Sequence, residues 1–265
     1  MHPEWTTPEG DAAADAPALL LCADWLDAAA MLAGASVDLL YADPPFNTGG
    51  PRAGRAGRFD DSWATVDAWV GWLEMRLAAT LPALKPTACV LLHVDWRTSH
   101  HARLLLDRLL GADHFVNHLV WAYGLGGSSA RRFARKHDDI LFYAVDPERY
   151  WFDPPRVPAT SRRLRGRTKK ATDVLLIPSI NNMAAERTGY PTQKPLALLD
   201  VLVRACCPPG GVVLDPCCGS GTTALAALAA GRRTRACDAN PDAIRIARDR
   251  LRGAAAEICP DPVLP

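Results

Sequence analysis

The chain has 265 residues, 49% of them hydrophobic, which suits a sizeable core and excludes wholesale disorder. Its net charge is only +1, yet residues 1–51 hold eight acids and no Lys or Arg, leaving 30 bases against 21 acids beyond them; that skew is compatible with a polyanionic partner. No apolar run nears the roughly 20 residues of a membrane span, and the acidic start lacks the basic region of an export signal, so a cytoplasmic chain with reduced thiols is expected.

Residues 1–17 read as a tail. ALLLCADWL (18–26) reads as a short strand ending in Asp24, and VDLLYA (37–42) as an apolar strand that runs into the stiff corner Asp43-Pro44-Pro45-Phe46. The segment 47–61 is Gly-rich and spaces Arg52, Arg55 and Arg58 three apart. Helices are expected over 66–81 and 98–110, with strands at 89–94, 115–123 and 139–145. Between the last two lies GLGGSSARRFARKH (124–137), with Arg131 and Arg132. The span 154–172 carries Arg156, Arg162, Arg163, Arg165, Arg167, Lys169 and Lys170 and no acid. Any one of these basic segments reads as solvated surface; three together favour a surface for a phosphate backbone.

Further helices are expected over 195–206, 222–230 and 241–251, with strands GVVLD (211–215) and TRACD (234–238) between them. Asn240 is placed to cap the last helix, with Pro241 at its first position. The alternation is that of an α/β protein with a mostly parallel central sheet flanked by helices. The cysteine doublets 206–207 and 217–218 contain no C-x-x-C, so no metal site is expected.

GGVVLDPCCGSGTTALAALAAG (210–231) reads as strand, turn and helix. Asp215 ends the strand, Gly219, Ser220 and Gly221 form the turn, and Thr222 opens the helix, whose first N–H groups are free to meet a ligand. The next strand ends in Asp238, placed to accept the two ribose hydroxyls of a nucleoside. The third glycine of a dinucleotide fingerprint is absent, because residue 224 is Ala, and there is no P-loop lysine. A cofactor without a pyrophosphate, such as S-adenosylmethionine, is favoured. Only one helix and a tail follow Asp238, so the strand needed beside it must come from 18–26. The sheet is therefore expected to be circularly permuted, with strand 37–42 following Asp24 in space as in sequence.

The ordered set DPPF (43–46), ERTGYPTQKP (186–195), DPCCGSGTT (215–223) and CDANPDAIRIARDRL (237–251) resembles the β-class of exocyclic-amino DNA methyltransferases, whose catalytic motif precedes the cofactor motif. The likeness covers most of 18–252 and includes FDDSW (59–63) and the stretch 104–144. It implies a Rossmann-like methyltransferase fold, with a catalytic half at 18–145, a target-recognition region at 146–180, a cofactor half at 181–252 and a tail at 253–265. By position it also implies that Asp43 and the Pro44 carbonyl accept the two hydrogens of the target amino group. An aromatic amine is a poor nucleophile because its lone pair is spread into the ring; two fixed acceptors localise that pair toward the methyl donor, and Pro45 stiffens the corner. Phe46 would stack on a base flipped from the duplex.

Asp24 would meet the adenine edge of S-adenosylmethionine and Asp238 its ribose. Gly219, Ser220, Gly221 and Thr222 would cradle the methionine part, with Asp215 nearby and Thr192 and Lys194 closing over it. Cys217 stands where the family commonly has Phe, so an aromatic contact to the cofactor is lost. Arg52, Arg55, Arg58, Arg131, Arg132, Arg162, Arg163, Arg165, Arg167, Lys169 and Lys170 would face double-stranded DNA, and 47–61 would be a lid ordered by it. The resemblance allows a homodimer, a cognate restriction endonuclease and a nucleoid location. N6-adenine is favoured over N4-cytosine because the motif opens with Asp rather than Ser. An RNA amino-methyltransferase and a non-catalytic DNA-binding subunit stay as alternatives, whereas the Pro216-Cys217 nucleophile of cytosine-C5 enzymes would leave DPPF without a role.

Overall fold

The computed structural model describes residues 4–9, 16–124, 128–159, 166–181 and 183–258; Arg162, Arg163 and Arg165 lie outside the described residues, as does the end of the chain from 259. In chain order the elements are β1 (Ala18–Cys22), α1 (Trp25–Ala30), β2 (Val37–Ala42), β3 (Arg52–Gly54), β4 (Gly57–Phe59), α2 (Val66–Thr80), β5 (Leu84–Val94), α3 (Ser99–Leu109), β6 (Phe115–Ala122), β7 (His137–Ala144), β8 (Arg156–Pro158), β9 (Thr168–Lys170), β10 (Val174–Leu176), α4 (Leu196–Cys206), β11 (Val212–Asp215), α5 (Thr222–Ala229), β12 (Arg233–Asp238) and α6 (Pro241–Ile258).

Eight strands form one sheet in the order β1-β12-β11-β2-β5-β7-β6-β10. All neighbours are parallel except at β7, which runs against both β5 and β6. The permutation is as expected, since the N-terminal β1 lies beside the C-terminal β12. One expectation is corrected: strand β2 does not follow Asp24 in space, because β12 and β11 stand between β1 and β2. A second correction is local. The expected strand 18–26 ends at Cys22, because the Asp24 carboxylate takes the Leu26 N–H at 2.9 Å and starts a helix at Trp25.

The central strands are buried on both faces, the usual state of parallel strands covered by helices. Leu40 and Ala42 of β2 point into a core built on Trp69, Leu73, Leu77, Leu105 and Leu106 of α2 and α3. Leu39 and Tyr41 point the other way, into Leu198, Leu199, Leu202 and Val203 of α4 and Ala226 and Ala227 of α5. This period of two is why an unbroken apolar run makes a strand here: both of its sides meet helices.

Two ribbons stand outside the sheet. β3 and β4 form a hairpin within 47–61, and β8 pairs with β9 to join Arg156 and Lys170 across one register. The hairpin departs from a lid that needs DNA to order it. Buried Asp61 accepts the Asn47 N–H at 2.7 Å and the Thr48 hydroxyl at 2.5 Å, its carbonyl takes the Gly49 N–H, and Arg52 approaches at 3.5 Å. Midway along β4 the Arg58 carbonyl accepts the Asn240 amide at 3.0 Å, so the ribbon is pinned at a second point. Among the described residues no helix is long and apolar enough to cross a membrane.

Candidate active site

The parallel strands all reach one rim of the sheet, and an aspartate follows or ends each of five: Asp24 after β1, Asp43 after β2, Asp95 after β5, Asp215 at the end of β11 and Asp238 at the end of β12. β7 runs the opposite way, so its N-terminal end brings Asp138 to the same rim. Ligands of open α/β sheets bind at these carboxyl ends, where the helix N-termini also point. A cavity of about 920 Å³ lies there, lined by all six acids.

Four of the six have a side-chain cation or histidine as partner. Asp24 receives Arg76 through both oxygens, at 2.9 and 2.6 Å, besides capping α1. Asp43 is paired with Lys194, and Asp95 with Arg97. Asp138 faces the ring of His93 at 3.4 Å and takes the Tyr123 hydroxyl at 3.3 Å. The remaining two have no ion pair among the described residues. Asp238 accepts the N–H groups of Gly219 and Asn240, at 2.8 and 2.9 Å. Asp215 accepts the Cys217 N–H at 3.1 Å and the Thr223 hydroxyl; burial nevertheless pushes its carboxyl up to about 7. Burial also raises Asp238. The stretch between them therefore favours a ligand that brings positive charge and hydroxyl donors.

The turn itself is shaped for close approach. Gly219 has φ 49°, and a Cβ there would meet the Tyr190 ring at 3.0 Å; Gly221 has φ 76°, and a Cβ would stand 2.7 Å from the Cβ of Ala247 on α6. Neither position accepts a side chain. Tyr190 is buried and lies nearly parallel to Phe59 of the hairpin, with centroids 6.4 Å apart. Both rings line the cavity beside Cys217, so aromatic surface is present near the position where the family commonly has Phe.

The corner 43–46 closes the other side. The Trp69 indole N–H donates to the Pro45 carbonyl at 2.8 Å, which fixes the peptide between Pro45 and Phe46. Phe46 stacks on His93 at 5.8 Å and 29°, and the Lys194 ammonium lies 5.3 Å from its centroid. His93 is fully buried, and the Tyr41 hydroxyl meets its Nδ1 at 2.8 Å. A hydrogen-bonded line from Tyr41 through His93 to Asp138 and Tyr123 thus underlies the aromatic ring. The His93 contact holds the Asp138 carboxyl below its ordinary range although burial works against it.

Of the residues expected from sequence, Asp24, Asp43 to Phe46, Arg52, Arg58, Thr192, Lys194, Asp215, Cys217, Gly219, Ser220, Thr222 and Asp238 line this one cavity, and Gly221 starts the helix behind it. Lys194, expected at the methionine end, is engaged with Asp43. Arg55, Arg131, Arg132, Arg167, Lys169 and Lys170 are not on its wall and are exposed. The cavity also contains residues that the sequence did not single out: Tyr190, Phe59, Asp61, Tyr123, Asp138, Trp96, Arg97 and Arg135. Phe59, Asp61 and Tyr190 lie inside FDDSW and ERTGYPTQKP, and Tyr123, Arg135 and Asp138 inside the stretch 104–144; Trp96 and Arg97 had no signal.

Comparison with known proteins agrees with this geometry. Residues 37–249 match the model of a family described as DNA methylase, of the N6/N4 type. The type II methyltransferase M.ScaI of Streptomyces caespitosus is 28% identical over 240 residues, covering 82% of this chain and 76% of that one. The DNA adenine methyltransferase YhdJ of Escherichia coli is 27% identical over 235 residues, covering 82% and 76%. Among solved structures, the cytosine-N4-specific PvuII DNA methyltransferase superposes with a TM-score of 0.69 at 15% identity, over 97% of this chain and 95% of that one.

Proposed function

Since the chain belongs to the N6/N4 DNA methylase family, we propose that it transfers a methyl group from S-adenosylmethionine to the exocyclic amino group of a base flipped out of double-stranded DNA, with N6 of adenine as the target. The observation that carries the reading is the facing of the 43–46 corner and the 215–222 turn across one cavity. S-adenosylmethionine supplies an electrophilic methyl on a positively charged sulfur. The residues present fit it: Asp215 and Asp238 are the two rim acids without an ion pair among the described residues, and the turn at Gly219 and Ser220 lines the cavity between them.

The chain's own part is orientation. Asp43 and the Pro44 carbonyl accept the amino hydrogens and turn the nitrogen's lone pair toward the turn, while Phe46, backed by His93, carries the face of the base. The corner is preorganised because Trp69 already holds the Pro45 carbonyl. Asp24, held by Arg76, serves the adenine side of the cofactor, and Thr192 its methionine end. The arginines of the hairpin, Arg131 and Arg132 ahead of β7, and the arginines and lysines of the 146–180 recognition region serve the phosphates. A homodimer and a restriction endonuclease of matching specificity are the partners this reading admits.

Adenine is favoured because the motif opens with Asp43; the alternative, N4 of cytosine, is the specificity in the name of the PvuII enzyme. Incubating duplex DNA with the protein and the cofactor, then identifying nucleosides by mass spectrometry, decides between them. N6-methyladenine is expected. N4-methylcytosine would reverse the choice of base, and no methylated nucleoside would overturn the reading.

A further inference from the structure

One cluster on the cavity wall has no task in that reading. After β5 ends at Val94, Asp95, Trp96 and Arg97 form part of the wall, and Arg135 joins them from the segment ahead of β7. The Arg135 guanidinium carbon sits 3.3 Å from the centroid of the Trp96 ring, and that of Arg97 sits 4.6 Å from it. Asp95 is buried and already accepts both the side chain and the backbone N–H of Arg97. Arg135 is exposed and has no carboxylate within ion-pair reach among the described residues, and the charges of Arg132 and Arg97 crowd it. The only acid of the cluster is thus spent on one of its arginines, and the net charge at this wall is positive.

The cluster adjoins the catalytic corner. His93, which backs Phe46, precedes Asp95 by two residues, a strand distance of about 7 Å. Asp138, which faces His93, and Tyr123, bonded to it, line the same cavity as the cluster. Arg135 is the cation whose planar fork is set on an aromatic plate, which limits its rotamers before any partner arrives. A planar fork beside a base pocket suits a phosphate, to which it donates two parallel bonds.

We propose that Arg135, seated on Trp96, binds the phosphodiester next to the extruded nucleotide. Arg97, tied to Asp95, adds to the positive field without making that contact. This rests on the DNA reading given above, and adds a phosphate site to it.

The test compares the salt dependence of binding to a duplex oligonucleotide that carries the sequence the protein methylates. Wild type, Arg135→Gln, Trp96→Leu and a control, Arg245→Gln on the exposed face of α6, are measured side by side. Loss of one phosphate contact lowers the slope of log affinity against log salt by about 0.9. That decrease is expected for Arg135→Gln, a smaller one for Trp96→Leu and none for Arg245→Gln, with cofactor affinity unchanged throughout. A second duplex replaces the phosphate on either side of the target nucleotide with a neutral methylphosphonate. At one of the two positions the difference between wild type and Arg135→Gln should vanish.

An unchanged slope in Arg135→Gln overturns the site, as does a difference that survives both neutral linkages. A loss of cofactor affinity in Arg135→Gln would also overturn it, placing the cluster on the cofactor instead. These results leave the methyltransferase reading standing if wild type methylates the duplex; a wild-type protein that transfers nothing to DNA sinks both.

Discussion

Lys194 places its ammonium against the Asp43 carboxylate, across 151 residues of sequence, and above the ring of Phe46. The carboxylate proposed to accept the target amino hydrogens is thus already engaged by a nitrogen that carries hydrogens. Both partners are mostly buried, and removing one leaves the other uncompensated. Lys194→Met is expected to lower kcat on the order of 10- to 100-fold, with cofactor affinity nearly unchanged; single-turnover transfer and calorimetry measure the two separately. A tenfold loss of cofactor affinity with kcat spared would instead return Lys194 to the methionine end.

Asp43→Ala removes one of the two proposed acceptors while leaving the glycine turn untouched. Transfer should fall by at least about 10³-fold, and cofactor binding should largely survive. Near-normal turnover in this variant would show that the carboxylate has no part in the chemistry.

Asp215 is predicted to make cofactor binding depend on pH. Burial raises its carboxyl to about 7, so near pH 6 it is mostly protonated in the free protein. A sulfonium favours the ionised form, so affinity for S-adenosylmethionine should rise between pH 6 and 8 and that rise should be absent in Asp215→Asn. Folding shows the opposite sign. A carboxyl raised above its unfolded value binds more protons in the folded state, so the cofactor-free protein loses stability as pH climbs from about 4 to about 7. Thermal unfolding of wild type and Asp215→Asn over that window measures the contribution.

Asp61 is expected to control the hairpin. Asp61→Ala removes a buried carboxylate that holds Asn47, Thr48 and Arg52, at a local cost on the order of 2 kcal/mol, or about 30-fold in opening. Trypsin should then cut at Arg52, Arg55 or Arg58 about 30 times faster while global unfolding changes less. Equal cleavage rates would mean that the ribbon is held elsewhere, with Asn240 the next candidate.

The sequence carried the strands that are apolar on both sides and the acids at their ends, because those signals are local. Asn240 was legible as a cap for the same reason, and its side chain does accept the Asp242 N–H at 2.9 Å. Helix α1 was not, since six residues after a strand offer too little periodicity, and Asp24 reads equally as strand end or cap. The ribbons β3–β4 and β8–β9 are three residues a strand and rich in Gly, Arg and Lys, a composition that also describes a loop. His93, Asp138 and Arg135 gain their meaning from strands brought together antiparallel, so no spacing along the chain announces them. The misplacement of β2 beside Asp24 has a similar cause: adjacency in sequence stood in for adjacency in the sheet, where β11 and β12 are inserted between them.

That insertion orders events during synthesis. Leu39 and Leu40 hydrogen-bond in register with Val213 and Leu214, encoded some 174 codons later. A ribosome thus releases the 43–46 corner long before the strand that leads into the 215–222 turn, and until then one edge of an apolar strand has no mate. A product that stops before Val213 would display that open edge, a substrate for chaperones and proteases, and would lack the turn opposite the 43–46 corner.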